Sequence, residues 1–337
     1  MPDPRVPPER PAEAPSRAAT TLGAMSAESP GASGGRAPAT VVEHDGGNGA
    51  RPRPAAHRED EFTSEHHVYE PHRIGLPPLR SYVRELWRRR QFAVELSRTT
   101  LRAQHFKTAL GQLWLVINPL MLTLVYFLLV EILRGGTRGP VFFAHLMIGM
   151  FAFHYMVGAI NQGAKSVVGS GRLVLNTAFP RTLLPLASVR TAFMRFLPTL
   201  PVYGVVHVVA GLPIGPHLLW VLPIFVILTI FTAGVTMLVA AAQVYYRDVR
   251  SFLPYFNRIW MYATPVLYYF DEVPPRLHRL IELNPLTPIF ATLSDVANRG
   301  LNPNPTYLAW GTAWALVAFV AGALFFMSRE REFAVRL

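Results

Sequence analysis

The stretch SRTTLRAQHFKTALGQLWLVINPLMLTLVYFLLVEIL, residues 97–133, decides the fold class of this chain. Its first part is basic, and the run from Leu113 to Leu133 that follows contains a single charge, Glu131. At about 1.5 Å per helical residue that run is about 31 Å long, which matches the hydrocarbon core of a bilayer. A basic segment before an apolar run indicates a helix that enters the membrane from the cytoplasm.

Five further stretches are predicted to cross the bilayer as helices, because each is a long apolar run. They are Val141–Ile160, Val189–Leu212, Leu218–Tyr245, Phe252–Phe270 and Tyr307–Met327. Pro198 and Pro201 predict kinks in the third span. The predicted fold class is therefore an all-α membrane protein with six transmembrane helices.

Shorter helices are predicted before and between these spans. Leu79–Leu96 has apolar residues at helical spacing with arginines between them, which is typical of an amphipathic helix in the membrane interface. A solvated basic helix is the alternative. Lys165–Arg190 is too long for a turn and predicts a helical excursion between spans two and three. Pro275–Leu283 and Pro288–Ala297 are predicted as two short helices between spans five and six.

Lys and Arg residues are distributed unequally between the two sides of this predicted topology. On the side of the chain termini there are 18, and on the other side there are 5. Because cytoplasmic segments carry the excess of positive charge, both termini are predicted to be cytoplasmic. The two short helices between spans five and six are then extracytoplasmic.

The chain divides by composition into four parts. Residues 1–75 are rich in Pro, Ala, Gly, Ser and Arg without hydrophobic periodicity, which predicts a disordered cytoplasmic tail. Residues 76–112 hold the amphipathic helix and a basic lead-in, residues 113–327 the six-helix transmembrane domain, and residues 328–337 a cytoplasmic C-terminal tail. Residues 1–75 contain 8 Arg and 11 acidic residues, so the net charge of +11 belongs to the membrane part. Anionic lipid headgroups are its expected partner, and no basic domain for nucleic acid is predicted.

The sequence lacks the residue patterns of several enzyme classes. It contains no cysteine, no DxD pair, no HExxH motif and no H-x4-D motif. Gly158–Ser166, GAINQGAKS, resembles a P-loop, but one extra residue precedes Lys165 and the segment continues a membrane span. No catalytic residue, metal ligand or cofactor is therefore predicted in this chain, and energy from ATP would have to come from a separate subunit. A membrane-embedded glycosyl- or acyltransferase is the rival from another class.

The fifth predicted span has an unusual composition, being short, aromatic and interrupted by Arg258. A helix surrounded by lipid would not hold an arginine, so one face is expected to line a wet path or another subunit. Tyr255, Tyr262 and Tyr269 recur at seven-residue spacing, and Trp260 lies among them. Aromatic rings stack on the C–H faces of sugars, which favours a path for glycans, while packing against lipid is the alternative.

Three polar residues within other spans have open roles. Arg195 lies inside the third span, where it either reaches the interface or faces a polar interior. His145 and His154 in the second span are expected to be satisfied by neighbouring helices rather than to form a proton relay.

Taken in order, a series of short motifs resembles the permease subunit of bacterial ABC type-2 exporters for lipid-linked polysaccharides such as O-antigen, teichoic acid and galactan. The motifs are residues 107–114 (KTALGQLW), Asn118-Pro119, Phe179-Pro180-Arg181 with Leu184-Pro185-Leu186, Tyr246-Arg247-Asp248-Val249, Thr264-Pro265-Val266-Leu267-Tyr268 and Asn284-Pro285-Leu286-Thr287. The resemblance covers Leu79 to the C-terminus. Thr264 departs from the family's usual Ser, and the N-terminal tail lies outside the pattern.

The resemblance implies an assembly and a set of site residues. Two copies of this chain would pair with two ABC ATPase subunits, which would bind ATP and Mg, and a lipid-linked glycan would be exported across the bacterial plasma membrane. An ABC type-2 drug or lipid exporter is the alternative within transport. The residues implied are Phe179, Pro180 and Arg181 in a helix that couples to the ATPase; Trp87, Arg247 and Asp248 at the cytoplasmic mouth; and Asn284 and Pro285 in an extracytoplasmic gate. The composition of the fifth span adds Tyr255, Arg258, Trp260, Tyr262 and Tyr269 as the residues expected in the substrate channel.

Overall fold

A computed structural model describes residues 78–104, 111–136 and 138–337. The predicted tail 1–75 and the middle of the basic lead-in lie outside the described residues. Within the described ranges every regular element is helical. The α-helices are α1 (Leu79–Arg88), α2 (Arg90–Gln104), α3 (Trp114–Arg134), α4 (Gly139–Ser166), α5 (Gly171–Asn176), α6 (Leu183–Phe196), α7 (Thr199–Val209), α8 (Val221–Tyr245), α9 (Val249–Ala263), α10 (Pro275–Glu282), α11 (Thr287–Arg299), α12 (Pro305–Arg329) and α13 (Phe333–Arg336).

Five helical segments of the described chain are long and apolar enough to cross a membrane. They are Trp114–Leu133, Gly139–Ser166, Leu183–Val209, Pro216–Tyr245 and Pro305–Arg336. The third begins earlier than predicted and consists of α6 and α7, which are separated at Leu197 and Pro198. Pro201 falls in the first turn of α7, where a missing N–H costs little, so the predicted second kink has no physical basis.

The predicted fifth span, Phe252–Phe270, is not one continuous helix. Its helix, α9, has 15 residues and ends at Ala263. Thr264 has an extended backbone (φ −103°, ψ 139°) because the ring of the following Pro265 disfavours the helical conformation of the preceding residue. The predicted six-span layout therefore depends on α9 together with the irregular segment that follows it.

The predicted amphipathic helix is divided into α1 and α2 at Arg89. No side chain of α1 is buried, which agrees with an exposed amphipathic element. In contrast, Phe92, Ala93 and Ser97 of α2 lie against the rest of the chain, with Ala93 and Ser97 buried. α1 therefore keeps most of its surface exposed, although Tyr82 and Leu86 on one side of it are half-buried against the rest of the chain.

The core is built around α4, which is buried almost throughout between Phe142 and Ala164 and packs against α6 and α8. The closest helix pair is α8 with α12, where glycines let the backbones touch. A Cβ on Gly234 would lie 2.3 Å from the backbone of Ala318, and a Cβ on Gly322 would lie 2.0 Å from the carbonyl oxygen of Gly234. Small residues at such contacts are typical of helix pairs in membranes, where packing replaces the hydrophobic effect as the driving force.

The two ends of the helical bundle are distinct. At one end, which we call the basic end, α2 packs against α6, and the ring of Tyr245 at the end of α8 lies 6.5 Å from that of Phe333 in α13. At the opposite end, the ring of Phe270 lies 5.9 Å from Tyr307 at the start of α12. The phenol of Tyr203 in α7 donates to the carbonyl oxygen of Ala297 in α11 at 3.2 Å.

Candidate functional site

An exposed aromatic stripe runs along α9. Tyr255 and Tyr262 are 69% and 49% exposed, and Phe252 and Ile259 lie on the same side of the helix. On the buried side, the amide of Asn257 donates to the side-chain oxygen of Asn161 in α4 at 3.1 Å. α9 is therefore anchored to the bundle by one face and presents the other as an aromatic surface.

Of the five residues predicted in the channel, three share this exposed side. Tyr255, Tyr262 and Arg258 are exposed on α9. Trp260 turns inward, and its indole N–H donates to the side-chain oxygen of Asn284 at 2.9 Å. Tyr269 lies beyond the helix, so its seven-residue spacing does not bring it to the face of the other two tyrosines.

Tyr269 belongs instead to a cluster at the opposite end. Its ring centroid is 4.2 Å from that of His145, and the guanidinium of Arg299 lies over it at 4.8 Å. His145 is buried in α4, and its Nδ1 is hydrogen-bonded to the hydroxyl of Ser294 in α11 at 2.8 Å. His145 therefore has the partner on a neighbouring helix that was predicted, whereas Nδ1 of His154 bonds the carbonyl oxygen of Met150 in its own helix.

Asn284, which was predicted in a gate, makes four hydrogen bonds that join the end of α9 to the turn before α11. Its amide nitrogen donates to the carbonyl oxygen of Ala263 at 3.0 Å and to the hydroxyl of Thr264 at 2.9 Å. Its side-chain oxygen accepts from the indole N–H of Trp260 and from the backbone N–H of Leu286 at 3.1 Å. Asn284 thus pairs the carbonyl oxygen of Ala263, one of the backbone groups that the early end of α9 leaves without a helical partner. The neighbouring Pro285 is half-buried.

Ion pairs connect distant segments at the opposite end. The guanidinium of Arg138 lies 2.7 Å from a carboxylate oxygen of Glu272, and Arg299 lies 2.5 Å from Asp271 and 3.3 Å from Asp295. Burial raises the pKa of Asp295, and the nearby charge of Arg299 opposes that rise. These contacts tie the segment between α9 and α12 to the start of α4.

The segment predicted to couple to an ATPase, Phe179-Pro180-Arg181, is held by side chains of its own chain. The ring of Phe179 lies 5.0 Å from that of Phe92 in α2, and Pro180 is buried. The backbone N–H of Arg181 donates to Oε1 of Glu330 at 2.5 Å, and its guanidinium donates to the carbonyl oxygen of Glu330. The segment is therefore fixed between α2 and the end of α12.

Tyr82 of α1 completes this cluster. Its hydroxyl donates to Oε2 of Glu330 at 2.5 Å and is also hydrogen-bonded to the hydroxyl of Thr182. Burial raises the pKa of Tyr82, and the negative charge of Glu330 raises it further. Tyr82 therefore stays a protonated donor at neutral pH. We call Tyr82, Arg181, Thr182 and Glu330 the carboxylate junction.

This junction could not be predicted from the sequence, because its members are far apart along the chain. Glu330 is separated from Arg181 by 149 residues and from Tyr82 by 248 residues. The exposed part of the excursion lies just before the predicted coupling residues, where Leu175, Asn176, Thr177 and Ala178 face outward.

The three residues predicted at the cytoplasmic mouth lie on two different segments of the chain. Trp87 is 69% exposed on α1 and is covered by the guanidinium of Arg90 at 4.7 Å. Arg247 and Asp248 are exposed in the link from α8 to α9. Among the described residues no ion pair joins Arg247 to Asp248, and the backbone carbonyl of Arg247 accepts from the amide of Gln243 at 3.0 Å.

Within the described ranges no group of three or more side chains is placed to hold a metal ion. The P-loop-like segment Gly158–Ser166 lies inside α4 as regular helix. A helix interior has no free backbone N–H groups to hold phosphates, whereas a P-loop presents them from a loop and a helix N-terminus.

Comparison with known proteins adds to this geometry. A family model described as ABC-2 type transporter matches residues 90–297. The chain is 26% identical over 242 residues to a Klebsiella pneumoniae protein named O-antigen export system permease protein RfbA, covering 72% of this chain and 93% of that protein. A protein of the same name from Myxococcus xanthus is 27% identical over 258 residues, covering 75% of this chain and 97% of that protein.

Proposed function

This chain belongs to the ABC-2 type transporter family, and from that premise we propose that it is the permease subunit of an ATP-driven exporter of a lipid-linked polysaccharide. The glycan moves from the cytoplasmic side across the bacterial inner membrane. The names of the relatives support the polysaccharide as cargo, because this chain matches nearly the full length of two O-antigen export permeases. The single structural observation that carries the proposal is the exposed aromatic stripe of α9.

The stripe suits a sliding polymer. Exposed aromatic rings offer many weak contacts to the C–H faces of successive sugars, and their hydroxyls bond sugar hydroxyls. Two such stripes, one from each of two copies of this chain, form the walls of a path between them. In this proposal two copies of the chain pair, the glycan passes between them, and Tyr255, Tyr262 and Arg258 face the glycan.

Paired substitution of the stripe tests this function. In cells that depend on this permease, Tyr255→Leu with Tyr262→Leu is expected to lower surface polysaccharide several-fold while ATP hydrolysis by the assembled transporter persists. Trp310→Leu, which removes an aromatic ring 55% exposed on α12, is the matched control and keeps export. Equal loss in both variants would show that exposed rings act only through lipid contacts.

The ATPase subunit that the family requires docks at the basic end in this proposal. The exposed residues Leu175–Ala178 form the contact, while Phe179, Pro180 and Arg181 transmit its movement to α2 and α12. ATP and Mg are bound by the ATPase, and this chain carries no cofactor. Leu175→Arg is expected to abolish co-purification of the ATPase, whereas Leu280→Arg, at the opposite end, leaves it intact. Retained co-purification with Leu175→Arg would place the docking surface elsewhere.

The orientation in this proposal has six crossings, with both termini cytoplasmic and α9 plus the segment after it as the fifth crossing. The absence of cysteine makes the orientation simple to test. A single cysteine at Leu280 is expected to react with a membrane-impermeant maleimide in spheroplasts, and one at Leu175 only after permeabilisation. Labelling of both positions in intact spheroplasts would contradict the six-span topology.

The rival transferase function has a direct test. Turnover of a labelled glycosyl or acyl donor by the purified chain alone would establish it. A drug or lipid exporter would instead keep its transport activity after the substitutions in the α9 stripe.

A further inference from the structure

A cavity of about 230 Å³ lies at the basic end of the bundle, between α2, the last turns of α4 and the N-terminal part of α6. Leu96 of α2, Ala187 of α6 and Gly169 just after α4 form part of its wall. The volume is below the range of about 300–1,000 Å³ that is usual for whole ligands, so the cavity suits a headgroup or another small polar group. The described lining contains no residue of α9, which places the cavity outside the glycan path proposed above.

The P-loop-like segment Gly158–Ser166 contributes three polar side chains to this cavity. Gln162, Lys165 and Ser166 lie three and four residues apart in the last turns of α4, so they share one face of the helix. Because the segment is regular helix, it cannot hold a phosphate with backbone N–H groups. The ammonium of Lys165 offers a different means of pairing with a phosphate, through its side chain.

Two hydroxyls and one amide oxygen offer hydrogen-bond acceptors to the cavity. The hydroxyls of Thr100 and Ser166 donate to the carbonyl oxygens of Leu96 and Gly163, each at 2.7 Å, which leaves their lone pairs for a ligand. Oε1 of Gln162 is buried, and no donor among the described residues lies within hydrogen-bond distance of it. A buried acceptor without a donor destabilises the fold, and a hydroxyl group of a ligand would relieve that cost.

The charge of the lining selects between ligands that carry donors. Among the described lining residues Lys165 is the one that carries a charge, and there is no aspartate or glutamate. A ligand ammonium would therefore have no carboxylate to compensate it beside Lys165, whereas hydroxyl groups supply donors without adding charge. The single negative charge of a phosphodiester balances the single positive charge of Lys165. A hydroxyl-bearing phosphate ester fits both the charge and the acceptors.

We propose that this cavity binds a phosphoglycerol group, with the phosphate on Lys165 and the glycerol hydroxyls donating to Gln162 and to the hydroxyl oxygens of Thr100 and Ser166. The same group occurs as the headgroup of phosphatidylglycerol and as free glycerol phosphate. Bound in the cavity, it bridges α2 to α4 and α6 and thereby holds α2 against the bundle.

Native mass spectrometry of the full chain in detergent tests the site, with phosphatidylglycerol as the probe. The wild-type chain is expected to hold one phosphatidylglycerol more tightly than phosphatidylcholine or phosphatidylethanolamine of the same acyl chains, because those headgroups carry no hydroxyl. Lys165→Gln weakens this binding on the order of tenfold, and Lys165→Arg keeps most of it because it keeps the charge. Arg172→Gln, which removes an exposed arginine of α5 outside the lining, binds as the wild type does.

A second variant removes the buried acceptor without changing the charge. Gln162→Met keeps the length of the side chain and is expected to weaken phosphatidylglycerol binding on the order of tenfold. The melting temperature of the lipid-free chain stays the same or rises, because an acceptor without a donor has been removed. A lower melting temperature together with unchanged lipid binding would overturn the role of Gln162 and with it the proposal.

A competition separates the two sources of the phosphoglycerol group. Displacement of phosphatidylglycerol by sn-glycerol 3-phosphate at millimolar concentration assigns the site to the soluble ester, and persistence of the lipid assigns it to the headgroup. Equal binding of phosphatidylcholine or phosphatidylethanolamine, or wild-type affinity in Lys165→Gln, would overturn the proposal. Because the readout is binding by the chain alone, the result does not depend on which cargo is exported.

Discussion

The carboxylate junction makes a quantitative prediction, because Glu330 accepts hydrogen bonds from two elements that are otherwise far apart in sequence. Tyr82→Phe removes the hydroxyl that donates to Oε2 of Glu330 and keeps the ring. A hydrogen bond to a charged group contributes about 1.5–3 kcal/mol, so Tyr82→Phe is expected to destabilise the protein by about that amount. At about 2–4 °C per kcal/mol, the melting temperature falls by at least about 3 °C.

Glu330→Ala has a larger effect. It removes the acceptor for Tyr82 and also that for the backbone N–H of the half-buried Arg181. Two charge-assisted bonds correspond to about 3–6 kcal/mol, and exported polysaccharide should fall along with stability because the segment at Arg181 is no longer fixed to α12.

A double-mutant cycle separates this contact from general loss of packing. Tyr82→Phe, Glu330→Gln and the double variant are compared by thermal unfolding of the detergent-solubilised chain, followed by intrinsic fluorescence. The sum of the losses of unfolding free energy in the two single variants is expected to exceed the loss in the double variant by about 1 kcal/mol or more, as for residues in contact. Additive effects within about 0.3 kcal/mol would refute the reasoning, because they would mean that the two side chains do not interact.

Further predictions concern close packing and the end of α9. Gly322→Ala is expected to destabilise the chain by about 1–3 kcal/mol or more, because the new Cβ meets backbone that cannot move, whereas Gly204→Ala, with nothing within 4 Å, is neutral or slightly stabilising in the same melting assay. Equal melting temperatures would contradict the α8–α12 contact. Asn284→Ala leaves the indole N–H of Trp260 without its acceptor and should cost several kcal/mol, at about 1–3 kcal/mol for each stranded group. Asn304→Ala, which removes a single exposed helix cap, should cost about 1 kcal/mol and serves as its control. An equal loss of stability in the two variants would show that the hydrogen bonds of Asn284 do not hold the end of α9 to the turn before α11.

The membrane class and most of the helices could be predicted from the sequence. An apolar run the length of a bilayer is a local property, so α3 and α12 fall close to the predicted spans. The two short helices after α9 also lie within two residues of their predicted bounds, since prolines mark the start of each. The sidedness of these segments is set by charge bias and stays a prediction.

The aromatic face of α9 could be predicted only in part. Seven-residue spacing correctly groups Tyr255 with Tyr262 because both lie on one continuous helix. The same spacing fails for Tyr269, because the extended residue before Pro265 ends the helix, and the chain then carries Tyr269 to His145. Trp260 was grouped with the exposed residues, yet it faces inward to a partner on another element.

Hydropathy, charge bias and proline placement are local properties of the sequence. The sequence by itself therefore determines that this chain is helical and lies in a membrane, and it determines where most of the helices begin. Which polar groups meet depends on helices that are distant in sequence. Only the tertiary structure brings Glu330 to Tyr82 and Arg181, and Arg195 to the first turns of α3. In an apolar core each of these groups is stabilised by its partner, and periodicity carries no information about which partner that is.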